Sequence, residues 1–168
     1  MSAGTAPALR IAAATEADVP VLLAFIRKLA EYEKLTDQVS ATEEHIRAAL
    51  FGPSRVAEAL LAYLDDEPVA FAVFFHNFST FLGRPGIYLE DLFVDPPHRG
   101  KGIGKALLIE LARLAQARNC GRLEWAVLDW NESAIEFYRS LGAVPMDEWR
   151  IFRMTGDALA RLAEGEPS

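Results

Sequence analysis

The segment that most limits how this chain can fold is a strand, a glycine-rich turn and a helix in direct succession. Ile87–Val94 is apolar and reads as a strand, and Asp95-Pro96-Pro97 ends it. Arg99-Gly100-Lys101-Gly102-Ile103-Gly104 follows. Leu107, Leu108, Leu111, Leu114 and Ala115 then recur at helical spacing from Gly102 to Arg118, where Asn119 and Gly121 stop the helix. The first N–H groups of a helix have no partner within it, and the helix dipole adds partial positive charge at the same end. Glycine removes the Cβ atoms that would keep a phosphate from the backbone. Together these make an anion site, to which Arg99, Lys101 and Lys105 bring full charges.

The remaining elements fall on both sides of this unit. Leu9–Ala13 reads as a short strand. Thr15 with Asp18 three residues on is a helix start, and Leu22, Leu23, Ile26, Leu29 and Ala30 carry that helix through Lys34. Thr42 with Glu43-Glu44 opens a second, ending near Phe51-Gly52-Pro53. Val56–Leu64 and Val69–Asn77 are strands joined by a turn at Asp65-Asp66-Glu67-Pro68. Leu123–Leu128 is a strand and Asn131–Leu141 a helix closed by Gly142. Short strands around Ala143–Met146 and Arg150–Met154, and a helix over Asp157–Glu164, complete the chain; Met1–Pro7 and Glu164–Ser168 read as tails. The order βααβββαβαββ predicts an α/β fold with a central mixed sheet, in one domain over residues 1–168.

The formal charge of −7 excludes a general nucleic-acid binder, which needs a basic surface, and suits a cationic small molecule instead. No apolar run is long enough to span a membrane, and Met1–Arg10 lacks the pattern of a secretory signal. A single cysteine, Cys120, fits a reducing compartment, so a cytoplasmic location is expected. His45, His76 and His98 are scattered without metal spacing, so no metal is expected.

Two familiar glycine loops do not fit. A P-loop needs Ser or Thr after Gly-Lys, but Gly104-Lys105 is followed by Ala106. A dinucleotide loop belongs near the first strand of a βαβ unit, whereas this loop follows a run of antiparallel-looking strands. Arg99-x-x-Gly102-x-Gly104, preceded by Leu92-Phe93-Val94-Asp95-Pro96, resembles the acetyl-CoA motif of the GCN5-related N-acetyltransferase (GNAT) superfamily. Residues 28–39, Ile87-Tyr88-Leu89-Glu90-Asp91 and Ala126-Val127-Leu128-Asp129-Trp130-Asn131 resemble its diamine (spermidine/spermine) and thialysine acetyltransferase branch. The resemblance covers about residues 9–155. Ser79-Thr80-Phe81 departs from both sides of that branch at Phe81.

The resemblance implies a GNAT fold, a mostly antiparallel sheet flanked by helices, and acetyl transfer from acetyl-CoA to a primary amine of a small cationic molecule by direct attack in a ternary complex. A protein or peptide acetyltransferase and a non-catalytic acyl-CoA-binding module are the alternatives. A lysine-like amine has a pKa of about 10.4, so a base must take its proton. Glu90 and Asp91 are the candidates, and the resemblance favours Glu90. Neighbours on a strand face opposite ways, so one of the two faces the site unless a bulge intervenes. By resemblance Tyr138 protonates the leaving thiolate, and Asn131, Ser133, Ala134 and Tyr138 line the cofactor together with Arg99–Lys105. Asn131 also has the place of a helix cap, and Tyr138 that of a half-buried core residue. The backbone of Leu92, Phe93 and Val94 is expected to pair with the pantetheine arm like an added strand. Tyr32, Glu33, Glu90, Asp91, Glu124, Trp125 and Ala126 are the expected amine-pocket residues, and a homodimer is the expected assembly.

Overall fold

Local signals start the first two helices where their spacing places them. The Asp18 carboxylate accepts the Thr15 N–H (2.7 Å) and opens a short 3-10 turn, Glu16–Asp18, that leads into helix α1, Val19–Tyr32. Thr42 Oγ accepts the His45 N–H and His45 Nδ1 accepts the Thr42 N–H, both at 3.2 Å, at the start of α2, Glu43–Phe51. α1 stops before Lys34, because that residue turns left-handed (φ 61°) and Leu35 N–H closes back on Ala30 O at 2.8 Å. These coordinates are a computed structural model that describes residues 7–165. Of the two tails read from the sequence, 1–6 and 166–168 lie outside the described residues.

The described residues form two compact units, one up to Leu128 and one from Asp129. The first holds a five-stranded sheet in chain order: β1 (Leu9–Ala13), β2 (Glu58–Leu64), β3 (Glu67–Ser79), β4 (Arg84–Val94) and β5 (Leu123–Trp125). The first four are antiparallel, and β5 runs parallel to β4 after the crossover helix α3, Ile103–Ala117. The β2–β3 turn is tighter than its sequence suggests. Asp65 and Asp66 both take positive φ (46° and 67°), as a two-residue hairpin requires, and Glu67 already pairs with Leu64. A register shift past Tyr63↔Pro68 lets a residue without an N–H sit inside β3.

Each face of the sheet carries its own core. Phe25 of α1 stacks on Phe71 of β3 (centroids 5.7 Å apart, planes within 4°), and both meet Phe93 of β4 at 6.2–6.4 Å. Leu22, Leu50, Ala59 and Leu61 pack around them. On the other face α3 buries Ile103, Leu107 and Leu111 against β2, β3 and β4. Alternation delivers this division: Leu61 and Phe71 serve one face, and the small Ala62, Ala70 and Ala72, all buried, the other.

The second unit holds α4 (Glu132–Ser140) and α5 (Gly156–Ala163). The strands expected around 143–146 and 150–154 are absent among the described residues. A strand exists only through its ladder, and the backbone bonds recorded for this stretch are local, Ala143 N–H to Tyr138 O and Trp149 N–H to Met146 O. Val144, Trp149, Ile151 and Phe152 are 75–93% exposed. β5 is also shorter than expected, its pairing ending at Leu89↔Trp125. No helix among the described residues is long and apolar enough to cross a membrane.

Phe71→Ala empties the centre of the aromatic cluster. We expect a loss of about 3–5 kcal/mol, read as a lowered urea midpoint with the slope unchanged.

Candidate active site

β4 contains one extra residue. Asp91 stands opposite Val73 and Leu89 opposite Phe74, so Glu90 is a bulge without a cross-strand partner. Residues directly opposite in an antiparallel pair share a face. Leu89 therefore shares the face of Phe74, which lies beneath Arg118 at the end of α3 (guanidinium carbon to ring centroid 5.8 Å). Asp91, two residues on, falls instead on the α1 face with Val73 and Phe93. Without the bulge Leu89 and Asp91 would point the same way.

The outcome is a partly buried carboxylate among others. Burial, with the negative charges of Glu90 and Glu33 added, pushes Asp91 up to about 6. Glu33, just past the end of α1, is itself raised by burial. Glu90 is exposed. Two of the acidic residues predicted for the amine side thus act on a third, and a carboxylate raised to about 6 can both attract a cation and hold its proton.

The glycine loop joins the end of β4 to α3. Gly100 and Gly102 take φ 77° and 78°, where a side chain would be strained, and a Cβ on either would point into open space. The first bond of α3 runs from Ala106 N–H to Gly102 O (3.0 Å), so the N–H groups of Ile103, Gly104 and Lys105 precede the helical ladder. The Ile103 side chain is core, whereas Lys101 and Lys105 are exposed. A Cβ on Gly104 would lie 3.7 Å from Val94, which sets the helix start directly on the strand end.

Beyond Leu89 the outer edge of β4 has no neighbouring strand among the described residues. Asp95 N–H bonds to Val69 O, so by antiparallel alternation the N–H and C=O groups of Val94 and Leu92 face this open edge. Phe93 is 4% exposed and belongs to the core. Arg99 is held by α1 and β4. Its Nε–H donates to Val94 O (3.0 Å), and its guanidinium carbon lies 4.5 Å from the Tyr32 ring centroid and 5.4 Å from that of Phe93.

Glu124 is engaged with other groups, accepting from Arg122 Nε at 2.7 Å and Asn77 Nδ2 at 3.2 Å. Trp125 is half-buried and Ala126 exposed. Phe81 is fully exposed on the β3–β4 hairpin. Cys120 has the spatial neighbour its sequence context lacks, His76 Nδ1 at 3.9 Å, at the opposite end of α3 from the glycine loop. His98, one of the three scattered histidines, is partly buried, with Nδ1 enclosed and unbonded.

In the second unit Asn131 caps α4, its side-chain oxygen accepting from Ala134 N–H (3.4 Å) and Ser133 Oγ (3.3 Å). Tyr138 is half-buried on that helix with its ring 5.6 Å from Phe137. Sequence reasoning missed the Lys28–Asp95 ion pair (3.0 Å), the rings beneath Arg99 and the position of the bulge. Only the paired acids Glu90-Asp91 inside an apolar strand hinted at the last.

The sequence profile of the acetyltransferase (GNAT) family matches residues 24–143. A thialysine N-epsilon-acetyltransferase of Bos taurus is 40% identical, with 89% of this chain and 94% of that protein covered. An L-ornithine N5-acetyltransferase of Arabidopsis thaliana is 35% identical, with 91% and 87% covered. Among solved structures, an integron cassette protein of V. cholerae superimposes with a TM-score of 0.78 at 29% identity, covering 93% of this chain and 98% of that one. The similarity runs along nearly the whole chain: it belongs to the acetyltransferase (GNAT) family and is an acetyl-CoA-dependent N-acetyltransferase.

Proposed function

We propose that this enzyme acetylates a primary amine of a small cationic molecule, either a thialysine- or lysine-like amino acid or a diamine. The observation that carries this reading is the group of three carboxylates, Asp91 with Glu90 on the strand that leads into the glycine loop and Glu33 at the end of α1. An acidic, partly desolvated pocket favours an ammonium group over a neutral one. The thialysine and ornithine acetyltransferases among its relatives, whose names specify small cationic amino acids, support the same class.

Acetyl-CoA brings the acetyl thioester. Lys101, Lys105 and the N–H groups that open α3 suit its pyrophosphate, and the backbone edge at Leu92 with the Val94 N–H suits its amide-bearing arm, the Val94 carbonyl being taken by Arg99. Asp91 takes the proton of the bound ammonium, with exposed Glu90 as the alternative acceptor. The neutral amine then forms the C–N bond as the C–S bond breaks, Tyr138 supplies the proton to the thiolate, and the proton that the new amide nitrogen sheds restores the Tyr138 hydroxyl. Asn131, Ser133 and Ala134 at the start of α4 complete the cofactor side. A panel of thialysine, lysine, ornithine, diamines and peptides, followed by CoA release, tests the reading. Efficient peptide acetylation with inert small amines would overturn it.

The proposed assembly is a homodimer in the cytoplasm. The exposed apolar side chains of Trp149, Ile151 and Phe152 support a second copy as their cover. Light scattering is expected to give twice the chain mass, about 37 kDa from a chain of 18.5 kDa.

Asp91→Asn separates chemistry from stability. Asp91 keeps its proton up to about pH 6 when folded, against 3.8 ordinarily. The folded state binds the extra proton between these values, so this group's contribution to stability falls as pH rises through the window. The variant is expected to be more stable than the parent at pH 7.5 by on the order of 2 kcal/mol, with the gain vanishing near pH 4. Its turnover is expected to fall about 100-fold. Thermal melts at both pH values and a CoA-release assay check this. Tyr138→Phe is expected to lower kcat about 100-fold with the acetyl-CoA Kd nearly unchanged, measured by single turnover and calorimetry.

A further inference from the structure

We propose that Arg99 is a positioning residue for the amine side of the site, holding the end of α1 on the end of β4, rather than a ligand of the cofactor phosphates. Its Nε–H is committed to Val94 O at 3.0 Å, and its guanidinium lies over Tyr32 (4.5 Å) and Phe93 (5.4 Å). A guanidinium moved off these partners would forfeit both ring contacts and the hydrogen bond. The loop does not need it for charge, because Lys101 and Lys105 stand exposed at that helix start.

What Arg99 grips matters to the amine. Tyr32 is the last residue of α1, and Glu33, whose charge acts on Asp91, is the next. One turn earlier Lys28 reaches Asp95 at 3.0 Å. Lys28 and Tyr32 are four residues apart and share a helix face, and Asp95 and Arg99 flank the short 3-10 turn Pro96–His98. The last turn of α1 is therefore tied at two successive points, by an ion pair and by a cation over a ring. The ion pair sets the height of the turn, and the Arg99–Tyr32 contact sets the end from which Glu33 projects.

This inference rests on the amine pocket proposed above, and two independent readouts test it. Arg99→Gln is expected to raise the KM for the best amine about three- to tenfold, while the acetyl-CoA Kd measured by calorimetry stays within about twofold. Arg99→Lys, which keeps a cation over the ring, is expected to fall between. Tyr32→Leu is expected to raise the same KM, and the double variant to add little to either single change. In the substrate-free protein, amide hydrogen exchange at residues 32–35 is expected to quicken in Arg99→Gln. A tenfold weaker acetyl-CoA Kd in Arg99→Gln, or exchange at 32–35 equal to the parent's, would overturn the assignment. Should the parent acetylate no small amine, the proposed function fails by itself, and the exchange and acetyl-CoA measurements still decide what Arg99 does.

Discussion

One inserted residue in β4 decides which faces its neighbours Leu89 and Asp91 take. The bulge at Glu90 lets a single strand present Leu89 to the α3 core and Asp91 to the α1 face. A regular strand offers every second residue to the same side, and an acid at 91 would then have followed Leu89 into the α3 core. There a charge would have to be paired or neutralised. The bulge leaves the carboxylate half-buried instead, close enough to Glu33 and Glu90 to be raised to about 6 without losing its access to a cation. Pairing with β5 also ends at Leu89, just ahead of the bulge. The same place in the strand therefore marks both the acid cluster and the start of the open backbone edge.

The surrounding fold serves to hold that strand. Phe93 follows the bulge by three residues and is fixed between Phe25 and Phe71. The next segment is held by Lys28 to Asp95 and by Arg99 to Tyr32. α1 thus supports β4 through an aromatic cluster in the core and through charged contacts at the rim. The two kinds of contact differ in strength: burying the rings carries most of the stability, whereas the rim contacts are individually small. The rim contacts direct geometry at little cost to the core.

Much of this was legible in the residues. Thr15 with Asp18, and Thr42 ahead of Glu43-Glu44, mark where their helices begin, the first with a 3-10 turn, because caps act within four residues. The glycine loop could be read because Gly100 and Gly102 hold backbone angles that other residues avoid. Asn131 caps α4 as its position suggested. Less legible was the stretch 143–154, whose apolar residues suit a strand but which pairs with no strand among the described residues. Strand propensity reports how a side chain fits a pleated surface, and it cannot supply the surface.

The sequence by itself determined the mixed sheet, the strand–loop–helix unit and the set of acids proposed to supply a base. These follow from periodicity, caps and glycines, whose causes lie within a few residues of one another. Only the tertiary structure decided that burial raises Asp91 toward neutrality, and that Arg99 turns toward Tyr32. Both outcomes depend on partners far away in the chain: Asp91 on its register with Val73 and on Glu33, and Arg99 on a ring 67 positions earlier. Desolvation and cation–ring contact exist only once those partners have been packed together.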